Sequence, residues 1–83
     1  MAADVESHGA RRAVEATFRI ERARLIAGLA RMVRDVDRAE ELAQEALLIA
    51  LAEWPRTGVP NNPGAWLTAA GKRRAIQANM RSS

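Results

Sequence analysis

The sequence predicts an all-α fold, a small bundle of three main helices. Three observations lead there. Apolar residues recur at spacings of three and four through most of the chain, helix-start chemistry precedes two of the apolar runs, and one segment, Pro55 to Asn62, has the composition of a loop. At 83 residues the chain holds a single domain. A domain of that size buries a modest share of its surface, so its stability is expected to be marginal.

Residues 1–10 show no periodicity and contain the only histidine, His8; they are expected to form a disordered tail, with the domain proper over 11–83. The first helix is expected from about Ala10 to Arg34. Val14, Phe18, Leu25, Leu29, Met32 and Val33 fall on one inward stripe, with arginines alternating on the solvated side. Gly28 lies inside this helix at a cost of roughly 1 kcal/mol relative to Ala, a position that suits close packing of a neighbour.

The second helix opens at Asp35 or Asp37. Asp37 with Glu40 three residues later reads as a capping box, and Asp35, Asp37, Glu40 and Glu41 gather at the positive end of the helix dipole. The end is expected near Trp54, because Pro55 disfavours helical backbone in the residue before it. Leu42, Ala46, Ile49 and Ala50 make the inward stripe, whereas Leu48 and Leu51 lie away from it, with Glu41, Gln44 and Glu45 beside Leu48. Two readings of Leu48 and Leu51 stand. Either they pack under the loop or sit in water as scattered apolar residues do, or they anchor a protein-binding face with a charged rim.

Asn62 followed by Pro63 starts the third helix, since Asn caps and Pro at the first helical position loses no hydrogen bond. The helix is expected to reach about Asn79, with Trp66, Ala69, Ala70 and Ile76 inward and Leu67 beside them. Lys72, Arg73 and Arg74 interrupt that stripe. Three consecutive residues spread over roughly 200° of a helix, so they cannot share one solvent face. Such a helix can contact phosphates, with Gln77 and Asn79 offering amides to bases, or its charges can complement its own dipole.

The net charge of +3 hides a strong asymmetry. Local balances are about +3 over residues 1–34, about −5 over 35–54 and about +4 from Ala65 onward, which suggests two partners of opposite charge. There is no cysteine, which fits a reducing cytoplasm. The longest apolar stretch, Ala46 to Ala52, is too short to span a bilayer, and no signal segment opens the chain. No Ser/His/Asp constellation, Gly-rich phosphate loop or metal-ligand cluster is present, so neither catalysis nor a cofactor or metal is expected.

The order of these features resembles a known family. DVDRAEELAQEALLIALAEW is similar to the core-binding segment of extracytoplasmic-function (ECF) sigma factors, an acid, Leu, any residue, Gln, Glu and then an apolar run ending near an aromatic. Glu41, Leu42, Gln44 and Glu45 hold those positions, with Glu41 in place of the commoner Asp. NPGAWLTAAGKRRAI resembles the segment that melts the −10 promoter element, with Trp66 and Leu67 matching a nearly standard Trp-Leu pair. The resemblance covers residues from about 14 to 76 and includes these two separated motifs in the right order.

The resemblance implies a sigma region 2 domain that acts in the cytoplasm in transcription initiation. Glu41, Gln44, Glu45 and Leu48 would bind the β′ clamp helices of the RNA polymerase core. Lys72, Arg74 and Arg81 would neutralise phosphate on the non-template single strand of −10 promoter DNA, while Arg73 and Gln77 border a pocket for an extruded base. An anti-sigma factor is a further partner the family suggests, a membrane is not, and an exposed apolar face gives the isolated domain a route to self-association.

Two departures stand out. After KRRAI come Gln77, Ala78, Asn79 and Met80 where an acid and further arginines are expected, and region 4, the helix-turn-helix domain for the −35 element, is expected to be absent from this chain. Two other readings fit the residues alone: a helical interaction module, adaptor or antitoxin-like, and a simple helical domain that binds duplex DNA.

Overall fold

The computed structural model describes residues 2–82, with side chains described at residue 9 and over 11–78. The fold is all-α: α1 spans Ala2–Val33, α2 Val36–Thr57 and α3 Pro63–Ser82. All three pairs of helices touch, so the chain closes into a bundle. Its longest dimension is 45 Å, which the 32 residues of α1 account for at about 1.5 Å per residue.

α1 begins well before Ala10, and the backbone of the segment expected to be disordered is helical. Periodicity is a signal of burial, and a stretch without it can still be helical when its residues favour the helix, as Ala2, Ala3, Glu6 and Ala10 do. The side chains of residues 1–8, His8 among them, lie outside the described ones.

α1 stops at Arg34, which takes the left-handed conformation (φ 59°) while its N–H donates to the Ala30 carbonyl at 2.7 Å. Asp35 then caps α2. Its backbone is extended, and its carboxylate accepts from the Arg38 N–H at 3.2 Å. Asp37 is therefore a first-turn residue and not the cap of a capping box. The carboxyl end of α2 is also displaced, since Pro55 lies inside the helix, which continues to Thr57. Proline in the last turn forfeits one backbone hydrogen bond, and Gly58 closes the end at φ 89° with its N–H on the Trp54 carbonyl at 2.7 Å. The start of α3 is as expected: the Asn62 side chain accepts from the Ala65 N–H at 3.1 Å, with Pro63 at the first helical position.

The core joins Val14, Phe18, Leu25 and Leu29 of α1 to Leu42 and Trp54 of α2 and to Leu67, Ala70 and Ala75 of α3. Between these lie four buried alanines of α2, Ala39, Ala43, Ala46 and Ala50. The large side chains of α1, with Leu67 of α3, thus close on a middle helix that is small along this line. Trp54 is buried and meets Trp66 edge to face, ring centroids 5.1 Å apart at 69°. Leu51 is half-buried against the core, so it belongs to the interior edge of α2.

Several inward assignments move. Met32 and Ile76 are exposed, as is Ala69, while Leu67 and Ala75 are buried in α3. The close approach expected at Gly28 occurs instead at Gly71. Nothing lies within 4 Å of a Cβ built at Gly28, but one built at Gly71 would stand 2.9 Å from Leu29 Cδ1.

Candidate functional site

The outward face of α2 carries Glu41, Gln44 and Leu48 in one exposed column, each one turn from the next. Leu48 is 63% exposed, with small Ala52 beyond it. Glu41 is held by the Arg38 guanidinium at 3.1 Å, a pair formed within the helix surface. Toward α1 the same helix offers Glu40, which lies 3.7 Å from Arg22.

Glu45 does not join that column. It sits one step round the helix, half-buried at the seam with α3, where its carboxylate accepts from Arg74 Nη2 at 3.1 Å. Arg74 Nη1 in turn donates to Gln77 Oε1 at 3.4 Å. A residue expected to face one partner and two expected to face another are therefore linked to each other.

The basic run of α3 divides as its helical spacing requires. Arg73, Arg74 and Gln77 turn toward α2, and with Trp66 and Glu53 they line a groove between the two helices. The groove opens toward Leu48 and Arg56. Arg56 and Arg73 have no acidic partner among the described residues and Glu53 has no basic one, so beside the paired Glu45 the groove carries two free cations and one free acid. Lys72 lies apart, exposed near Ile76. The side chain of Arg81 lies outside the described residues.

Arg56 and Glu53 were not among the candidate residues read from the sequence. The available signal was local: Arg56 is the first cation after the acidic run, one turn of helix beyond Glu53.

The whole arrangement is a pair of adjoining surfaces, a polar column on α2 that ends in the exposed Leu48 and a mixed, net-basic groove running into α3. Among the described residues no group of His, Cys, Asp and Glu could hold a metal ion, and no helix is long and apolar enough to cross a membrane.

A protein of Rhizobium meliloti (strain 1021), described as uncharacterized, is 44% identical over 62 residues, which is 75% of this chain and 15% of the relative. The chain thus spans about a seventh of the length of that relative. No solved structure matches. The sigma-70 region 2 profile matches residues 17–82, which takes in both surfaces and the loop between them. The chain belongs to the sigma-70 region 2 family, a domain of the sigma factors that act in transcription initiation.

Proposed function

We propose that this domain docks on the β′ clamp helices of RNA polymerase through α2 and contributes to recognition and melting of the −10 element through α3, as in ECF-type sigma factors. The observation that carries the reading is the exposed column Glu41, Gln44 and Leu48 inside the region 2 match. An apolar side chain in water, with the amide of Gln44 and the carboxylate of Glu41 along its column and Arg56 to one side, is the pattern of an interface anchor with a polar rim. A basic helical partner would meet complementary charge there, which raises the rate of encounter and fixes register.

The groove supports the second half. Arg73 and Arg56 offer unpaired guanidinium groups to phosphate, and Trp66, half-buried at the groove wall, presents part of an aromatic ring. Lys72 extends the positive charge around α3. Counter-ion release from phosphates makes such binding strongly salt-dependent. The site of action is the cytoplasm, where the polymerase core is met.

The test is capture of the β′ clamp helices by the domain and its variants. Leu48→Asp and Gln44→Ala change only exposed side chains. Leu48→Asp is expected to weaken capture by about tenfold or more, the scale of losing an interface anchor, with the circular dichroism of the domain unaltered. Capture indifferent to both substitutions overturns the docking assignment.

A further inference from the structure

α1 presents a second face that docking and strand binding do not use. Its buried residues Val14, Phe18, Leu25 and Leu29 all point toward the other helices. On the opposite side Arg12, Arg19, Arg24 and Arg31 are exposed, and none of them has an acidic partner among the described residues. Arg19 lies one turn from Glu15, yet the carboxylate of Glu15 is with Arg11. By helical geometry Glu15 and Glu21 sit roughly 120° to either side of this face, so it carries cations alone.

Between the arginines stands Ile20, which at 79% is the most exposed large apolar side chain described. Ala13, Ala16, Ala23 and Ala27, also exposed, continue its line above and below. The five recur at alternating spacings of three and four, the spacing of a coiled-coil seam. Arg12 and Arg19 flank one side and Arg24 and Arg31 the other, at the positions that choose a partner by charge. Small seam residues let a second helix approach closely.

We propose that this face of α1 binds an acidic amphipathic helix of a partner protein, with Ile20 as anchor and the four arginines pairing with carboxylates that flank the partner's apolar stripe. Charge decides against the other occupants. A second copy meeting this face through its own α1 would set arginine flanks against arginine flanks. Duplex DNA would use the arginines and leave the seam of Ile20 and alanines in water. An anionic bilayer needs several large apolar side chains on the inserting face, and this one has Ile20.

The experiment measures binding of the 83-residue chain to synthetic helical peptides with a Leu/Ala seam flanked by Glu in one and Lys in the other. The Glu-flanked peptide is expected to bind. Ile20→Asp should lower that affinity by about tenfold, and reversing the four arginines to Glu should transfer preference to the Lys-flanked peptide. Lys72→Glu, on α3, should change little, and both α1 changes should leave capture of the β′ clamp helices intact, which separates this face from the docking column of α2. Every substitution is at an exposed side chain, and circular dichroism reports whether the fold is kept. Should the quadruple reversal not fold, Ile20→Ser paired with Arg19→Glu carries the same expectation. Failure of the Glu-flanked peptide to bind overturns the proposal, as does binding that ignores Ile20 or follows Lys72. Tighter binding through these arginines to a duplex oligonucleotide or to anionic vesicles overturns it too.

Discussion

The carboxylate of Glu45 and the guanidinium of Arg74 meet at 3.1 Å across the seam of α2 and α3, joining positions 29 residues apart in the chain. Roughly a third of each side chain remains in solvent, 34% and 39%. Solvent screening therefore keeps the pair's contribution to stability below about 1 kcal/mol. A double-mutant cycle with Glu45→Ala and Arg74→Ala, followed by urea unfolding, should return a coupling energy in that range. A coupling above about 2 kcal/mol would mean the seam is far less hydrated than this exposure indicates.

The same contact separates the basic residues of α3 by availability. Arg74 has both terminal nitrogens engaged, Nη2 by Glu45 and Nη1 by Gln77, whereas Lys72 and Arg73 are exposed and unpaired. In titrations of single-stranded −10-like DNA at several salt concentrations, Lys72→Ala and Arg73→Ala should each reduce the slope of log affinity against log salt by about 0.7. Arg74→Ala should reduce it less. An equal or larger effect at Arg74 would show that the ion pair opens on the DNA.

Two glycines should respond with opposite sign. A Cβ at Gly71 would press on Leu29, which is wholly buried, so its side chain must shift within the core. Gly71→Ala should then lower stability by about 1–3 kcal/mol despite the better helix propensity of Ala. Gly28 meets nothing within 4 Å, so Gly28→Ala should raise stability by up to about 1 kcal/mol. Thermal unfolding of the two variants checks both, and the same sign in both would contradict the packing of α3 on α1.

Arg34 occupies left-handed backbone, which costs a residue bearing a Cβ roughly 1–2 kcal/mol. Arg34→Gly relieves that strain but enlarges the freedom of the unfolded chain. A net gain of a few tenths to about 1 kcal/mol is expected, read as a rise in the urea midpoint. A loss would indicate that the Arg34 side chain contributes more than its exposed position suggests.

Local chemistry was the most legible part of this fold. The Asn62–Pro63 start of α3 and the position of its cap follow from two adjacent residues, and the inward line of Val14, Phe18, Leu25 and Leu29 follows from strongly apolar side chains at helical spacing. Rotation was harder to read where helices are rich in alanine. In α3, Ile76 counted as inward by size, yet Leu67, Ala70 and Ala75 face the core and leave Ile76 56% exposed. A small residue can lie on either side at little cost, so composition alone does not choose.

The candidate site divides in the same way. Glu41, Gln44 and Leu48 share a column because residues three and four apart must do so. The partner of Glu45 was not legible, because it depends on how α3 lies against α2 and no spacing within either helix records it. The end of α2 was misplaced for a related reason. Pro55 has a local penalty, but the final turn can absorb it when Gly58 accepts the closing geometry.

The four buried alanines of α2 have a consequence for how such a domain changes over generations. The helix that carries Glu41, Gln44 and Leu48 outward contributes mainly methyl groups inward along this line, so its two sides share few volume constraints. Replacements on the outer column need no compensating change inside, and the surface can drift toward a new partner while the scaffold stays fixed. Enlarging any of the alanines has the reverse character, since each is buried and an added side chain would have to displace its neighbours in the core.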